Sequence, residues 1–324
     1  MRHCLAVCES HVFQQPGIIN EEVSMQRVVS ALSSDFSMSR VAMGLWRLDS
    51  WQMSPQDRLG FAEELLDLGV STFDLADIYG DYQCESLFGE ALRLKPAVRE
   101  RMEIVTKCGI KLCGSNNAFR LNHYDSSADH VRASVENSLR NLGTDYVDLL
   151  LLHRPDPLLD ADELAGVLDS LVAAGKVRSV GVSNYLPHQV ALLQSRLKTP
   201  LVANQIEVSL LHSAPMFDGQ LDHCQQNRIL PMAWSPFAGG DLFTGGAETA
   251  ARVRDCMESL HGELGMDAQQ MALSWLLRHP SRMVPVLGSG NLERLKGALT
   301  AVDKEMPLEP WFMLLRAARG RDVD

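Results

Sequence analysis

Apolar and polar positions fall into a recurring order along this chain: a capped amphipathic stretch, a glycine, then a short apolar run. Ser54-Pro55-Gln56-Asp57 supplies an N-cap, a proline at the first helical position and an acid in the first turn. Leu59, Ala62, Leu65 and Leu66 follow at helical spacing, and Gly69 ends that helix ahead of a strand over 70–74. A second unit starts at Ser126-Ser127, keeps Val131, Val135, Leu139 and Leu142 on one face, stops at Gly143 and leads into a strand over 147–152. In a third, Leu164, Val167, Leu168, Leu171 and Val172 share a face, Gly175 closes it, and a strand over 177–182 follows. Helices over 187–197, 217–227 and 267–278 precede strands over 201–204, 229–233 and 284–287 in the same way, and apolar runs at 41–44 and 103–107 predict two more strands.

The run from Val147 to Leu152 is apolar at every position but Asp148, and a strand of that kind is covered on both faces. Continuous apolar strands separated by helices imply a parallel sheet. Their tally is about that needed to close an α/β fold of the (β/α)8 TIM-barrel type. An open doubly wound sheet would carry a Gly-rich phosphate loop after its first strand, and Met43-Gly44-Leu45-Trp46 lacks that pattern. No linker interrupts the units, so residues 25–324 are expected to form a single domain, with a C-terminal helix over 307–319 outside the barrel. Residues 1–24 show no period, contain a Pro16-Gly17 break and precede Met25, and are read as an appendage or an upstream start.

Composition narrows the class of partner. At 324 residues, 46% hydrophobic and 22% charged, the chain can bury a large core. A net charge of -11 argues against nucleic acid and favours a small-molecule partner. The 7 cysteines are scattered without a C-x-x-C pair, which fits reduced thiols in the cytoplasm and no structural metal site. No run reaches the length of a membrane span, and the apolar segment 4–8 is too short for a signal peptide.

In a barrel of this type the chemistry sits at the carboxyl ends of the strands, and the residues ending the apolar runs are Asp74, Lys107, His153, Ser183-Asn184, Gln205 and Trp234-Ser235. Each has a structural reading when taken alone: a solvated lysine, a core histidine satisfied by a carbonyl, a turn aromatic at Tyr79, a cleft wall at Trp234. Placed on one rim, they form a proton-transfer set. A free phenol titrates near ~10, and a neighbouring ammonium favours its ionised form. Lys107 would supply that ammonium, Asp74 would hold it in place, and His153 would orient a carbonyl oxygen.

Asp74, Tyr79, Lys107 and His153, with Gly181-Val182-Ser183-Asn184 and Ala233-Trp234-Ser235-Pro236, resemble the catalytic tetrad and cofactor motifs of the aldo-keto reductase superfamily. The resemblance runs from about Arg40 to about Ala318. It implies reduction of a small-molecule carbonyl by hydride from NADPH, or NADH, with Tyr79 as general acid, Lys107 as its partner, Asp74 as the anchor of Lys107 and His153 orienting the carbonyl. It also implies that Ser183, Asn184 and Gln205 bind the nicotinamide carboxamide and that Trp234 stacks on its ring. Ser235, Pro236, Phe237, Gly239 and Gly240 would line the pyrophosphate. Gly288, Ser289, Asn291 and Arg294 would hold the adenosine end, where helix N-terminal amides favour phosphate. Gly44, Leu45 and Trp46 complete the set; Leu45 stands where many relatives have threonine, which leaves backbone contacts there. Asn291 stands where many relatives carry a cation for the 2′-phosphate, and Arg294 is the substitute.

Barrels of this family often act alone, so a monomer is expected. Substrate selection is expected from Trp46, Trp51, Tyr82, the loops after Gly109, Pro155 and Ser209, and Trp311 with Phe312, aromatics that suit an apolar or aromatic aldehyde. Asp77 is expected at a helix start or in solvent, and Glu85 at the adenosine side or capping the next helix. Two other classes fit less well: a redox-sensing regulatory subunit of the same fold, and a metal-dependent barrel hydrolase using His153 with Asp74 and Asp77, for which no H-x-H pair is present.

Overall fold

A computed structural model describes residues 28–29, 36–114 and 119–322, so the appendage expected at 1–24 lies outside the described residues. The recurring helix–strand units build the barrel that their pattern predicts. Its strands are β1 (Ala42–Gly44), β2 (Thr72–Asp74), β3 (Glu103–Cys108), β4 (Val147–Leu152), β5 (Val177–Ser183), β6 (Leu201–Glu207), β7 (Leu230–Trp234) and β8 (Val284–Leu287). All neighbours run parallel, and the ring closes through β8 beside β1 and β5 beside β6.

The helices start where their caps predict. Ser54 and Asp57 form a reciprocal capping box before Pro55–Asp67, Ser127 caps Ala128–Leu142, and Asp267 with Gln270 caps Ala268–Leu277. Gly143 closes the second of these in the left-handed conformation, at φ 68. Strand ends moved for local reasons. Val70 donates its amide to Leu65 O at 2.9 Å, which finishes the helix turn and delays β2 to Thr72. β6 runs on to Glu207 because Gln205, polar but 3% exposed, finds a buried partner inside the barrel.

Inside the ring, Val105, Leu149, Leu151, Val202, Met232 and Val284 form one packed cluster. Phe36 and Met38, beside the short strand pair Val28–Val29 and Ser37–Met38, join it at the amino ends of the strands. Ser39 N donates there to Thr72 Oγ1 at 3.0 Å.

Cys84–Leu94, between β2 and β3, escaped the pattern, and so did Glu248–Leu264, between β7 and the helix preceding β8. In the latter, Ala250, Val253, Met257 and Leu260 are buried at helical spacing, and the last three share a cluster with Leu314 and Leu315 of the C-terminal helix Leu308–Arg319. That helix lies outside the barrel as expected. Its Trp311, expected near the substrate, instead stacks on Trp275 at 5.2 Å between ring centroids, each indole N–H donating to the other's carbonyl. Among the described residues no helix is long and apolar enough to cross a membrane.

Candidate active site

Asp74 ends β2, and Lys107 lies near the end of β3, two residues beyond the register partner of Asp74. Both are buried, at 3% and 0% exposure. The Lys107 ammonium donates to Asp74 Oδ1 at 2.7 Å, to Leu75 O at 2.7 Å and to Tyr79 Oη at 3.1 Å, which uses its three donors. Gln205 Nε2 reaches across the barrel to the same Asp74 Oδ1 at 2.8 Å, so the carboxylate is held from two sides.

Tyr79 opens a tight turn in which Gly80 and Asp81 have φ of 58 and 51. Glycine is required at position 80: a Cβ there would lie 2.7 Å from Cys84 Sγ, in a conformation L side chains rarely adopt. The turn holds the half-buried phenol over Lys107. His153 follows β4 directly, donates its amide to Cys108 O at 2.9 Å, and sets its ring edge-on to Tyr79 at 5.8 Å between centroids. Its Nδ1 is buried with no hydrogen-bond partner among the described residues.

Electrostatics assign the charges. Burial pushes the Tyr79 phenol up and outweighs the downward pull of Lys107, so the expected net lowering by the ammonium is absent in the chain alone. Asp74, beside the same ammonium, adds a smaller upward push to that of burial. Desolvation works against the Lys107 charge, but Asp74 and Tyr79 together raise its pKa, keeping it charged. Burial, followed by the Lys107 and Arg154 charges, holds His153 well below the usual imidazole range, so it is neutral near pH 7.

Two carboxyls in this region differ from expectation. Asp77 is 8% exposed and Glu85 1%, so neither is a solvent or cofactor-facing residue. Thr106 Oγ1 donates to Glu85 Oε1 at 2.6 Å, while Asp77 Oδ1 is buried without a partner among the described residues. Burial raises both, and the Glu85 charge adds to the shift of Asp77. The Lys107 charge acts on both and opposes the rise.

A cleft of about 850 Å³ opens over these residues. Asp74, Tyr79, His153, Ser183, Asn184 and Gln205 form its floor, and Trp234, Ser235, Pro236, Phe237, Gly239 and Gly240 form one wall. Gly44, Trp46, Gly288, Ser289 and Arg294 line the remainder. At the floor Ser183 Oγ donates to Gln205 O at 3.0 Å, and Asn184 links Ser183 Oγ at 2.8 Å to Trp234 Nε1 at 3.0 Å. Two expected cofactor residues face elsewhere. The Leu45 side chain is 1% exposed in the core, its amide held by Asp74 O at 2.9 Å. Asn291 N-caps Leu292–Leu299, with Oδ1 accepting from Arg294 N at 3.0 Å.

Of the residues expected to select substrate, Trp46, Trp51, Ile110 and Leu112 line the cleft, the last two from the loop after Gly109. Tyr82 works from behind, its hydroxyl accepting from Leu112 N at 3.0 Å. Ser209 is buried in a turn with His212. Arg47, Asp81, Arg154, Phe243 and Gln269 also line the cleft and were not singled out by sequence. For Arg154 a signal existed, its place directly after the strand-end histidine; for Gln269, within a helix, none did.

Fold and site together define a barrel that brings Asp74, Tyr79, Lys107 and His153 together at its carboxyl rim, under a long cleft. The chain belongs to the aldo-keto reductase family: the family model described as "Aldo/keto reductase family" matches residues 40–313. It is 49% identical to "Oxidoreductase YdhF" of Escherichia coli (strain K12), over 88% of this chain and 95% of that protein. It is 47% identical to a "6-dehydroglucose reductase" of Agrobacterium fabrum, over 92% of this chain and 100% of that protein. Among solved structures, a thermostable aldo-keto reductase, Tm1743, in complex with the inhibitor epalrestat shares the fold at a TM-score of 0.77, with 24% identity, 90% of this chain and 100% of that chain covered.

Proposed function

We propose that this chain reduces aldehydes and ketones to alcohols with NADPH, Tyr79 being the general acid. The observation that carries this is the Lys107 ammonium bonded at once to Asp74 and to the Tyr79 phenol, beneath the cleft. The name of the Agrobacterium fabrum relative, which reduces 6-dehydroglucose, points the same way.

The cleft suits a nicotinamide dinucleotide. Its volume of about 850 Å³ is in the range of cofactor sites. Gly239 and Gly240 stand in the left-handed region with nothing within 4 Å of where a Cβ would be, leaving backbone room for a pyrophosphate. Arg294 projects from the first turn of Leu292–Leu299, where the amides of that turn and the guanidinium favour the same phosphate. Trp234 would back the nicotinamide, with Ser183, Asn184 and Gln205 around its carboxamide, Gly44 and Trp46 beside it, and Ser235 to Phe237 and Gly288 to Ser289 along the phosphates.

When bound, the nicotinamide supplies a hydride to the carbonyl carbon. Neutral His153 donates a ring N–H to the carbonyl oxygen and fixes its direction. Tyr79 gives its proton to that oxygen. Lys107 stabilises the phenolate left behind, and Asp74, tied by Gln205, keeps Lys107 charged and in place. This reading carries with it a small-molecule carbonyl substrate, a chain acting as a monomer, and a cytoplasmic setting.

Purified protein with NADPH and 4-nitrobenzaldehyde, in the presence of a chelator, is expected to consume the nicotinamide absorbance; no turnover over a panel of aldehydes and ketones sinks the reading. Arg294→Ala is expected to lower the ratio of kcat/KM for NADPH over NADH by about 10- to 100-fold, the worth of a charge-assisted hydrogen bond. A ratio that does not move removes Arg294 from the 2′-phosphate.

A further inference from the structure

The chain carries a net charge of -11, and its surface arginines commonly find carboxylates, as Arg101 does at Asp67 and Arg196 at Asp162. The cleft is different. Arg47, Arg154 and Arg294 all line it, and among the described residues none of them pairs with a carboxylate. Arg294 lies toward Gly288 and Ser289 and is accounted for by the phosphate end. Arg47 and Arg154 are left over at the other end.

Arg154 directly follows His153, and its guanidinium carbon lies 5.7 Å from the centroid of the Trp234 ring. Burial dominates the acid strengths of Tyr79 and His153, but the Arg154 charge is felt at both, which places the guanidinium beside the reacting end of the cleft. Arg47 rides 5.0 Å over Trp46, an indole left 58% exposed at the mouth. Asp81, on the same wall, forms no ion pair with either within the described residues.

A cation–π contact at these distances occupies none of a guanidinium's N–H donors, and no carboxylate among the described residues takes them. An alkyl or plain aromatic aldehyde packed against Arg154 would strip water from those donors and return nothing. An oxygen on the substrate would return a charge-assisted hydrogen bond. The two guanidiniums therefore override the aromatic walls, which taken alone suggest an apolar aldehyde.

We propose that Arg154 is a specificity-determining residue that binds an oxygen substituent, hydroxyl or carboxylate, on the carbon chain behind the reacting carbonyl, so that oxygenated aliphatic aldehydes are the preferred substrates. The proposal rests on the reductase reading above. The oxygen can belong to a neutral polyol or to an acid, and the test separates the two.

Wild type, Arg154→Gln and Arg154→Lys are assayed with NADPH on glyceraldehyde against propionaldehyde, and on succinic semialdehyde against butyraldehyde. Wild type is expected to prefer the oxygenated member of at least one pair, and Arg154→Gln to reduce that preference by about 10- to 100-fold. Arg154→Lys restores part of a carboxylate preference and less of a hydroxyl one, because an ammonium is a point charge without the planar fork. A readout independent of turnover is the dissociation constant of the product alcohols, glycerol against 1-propanol and 4-hydroxybutyrate against 1-butanol, by titration calorimetry. It is expected to follow the same order and to flatten in Arg154→Gln. A fall in the first ratio assigns the polyol and a fall in the second the acid, either one supporting the proposal. Turnover of all four aldehydes with ratios near one, or ratios that Arg154→Gln leaves alone while melting like wild type, overturns it. If wild type reduces 4-nitrobenzaldehyde but none of the four, this proposal is overturned while the reductase reading stands; if it reduces neither, both fall.

Discussion

Tyr79→Phe is expected to lower kcat/KM for carbonyl reduction by about 10²- to 10⁴-fold, the usual worth of a positioned general acid. The change removes one oxygen, the acceptor 3.1 Å from Lys107 Nζ, and keeps the ring that meets His153 edge-on at 5.8 Å. Packing of the turn at Gly80 does not depend on that oxygen, so NADPH binding, followed by tryptophan fluorescence, should persist. The pH dependence follows from the direction of the shift. An acid must be protonated to act, so activity is present below the pKa of Tyr79 and lost above it. Because burial raises that pKa against the pull of Lys107, the loss lies on the alkaline side of the ordinary phenol range. The Phe variant, lacking the group, should lose this alkaline limb from whatever turnover remains. Full activity in Tyr79→Phe would end the general-acid assignment.

The parts of this site that were legible in the sequence are those fixed by the strand rule. A polar residue ending an apolar run has one place to go in a closed barrel, and so Asp74, Lys107, His153, Ser183, Gln205 and Trp234 reached one rim. The residues that went elsewhere were claimed by a competing local demand that the motif does not express. Asn291 satisfies the open amide at the start of a helix, a need that any Ser, Thr, Asp or Asn in that position meets. Leu45 is an apolar residue after an apolar strand, and the core took it. Trp311 found a partner in Trp275, a contact between helices distant in sequence that no periodicity records. Asp77 was read as a helix-start or solvent acid because carboxylates usually are, and Glu85 as a cap or cofactor contact; the partner that takes Glu85 inward, Thr106 of β3, is invisible locally. Arg154 was the costliest omission: it directly follows a strand-end histidine and lines the cleft, yet no role was read for it from the sequence.

Lys107→Met should lose activity and stability together, and separating the two effects tests the architecture proposed for the site. Activity falls because the phenolate formed at Tyr79 loses its counter-charge. Stability falls because Asp74, at 3% exposure, keeps only the Gln205 amide at 2.8 Å and becomes a buried charge without a cation. Breaking a buried pair from one side typically costs about 3–5 kcal/mol, whereas replacing both partners is often close to neutral. Lys107→Met/Asp74→Asn should therefore recover most of the stability lost by the single variant in urea unfolding, since the buried charge is gone and Asn still accepts from Gln205. Its activity should stay as low as that of Lys107→Met, because the proton donor is still without its ammonium. If the double variant were no more stable than the single one, Lys107 would be stabilising the barrel through packing, and Asp74 could not be regarded as its anchor. If Lys107→Met kept the wild-type stability, the three donor bonds at the floor of the cleft would be energetically idle, and the claim that this network is set up to hold charge under Tyr79 would fail.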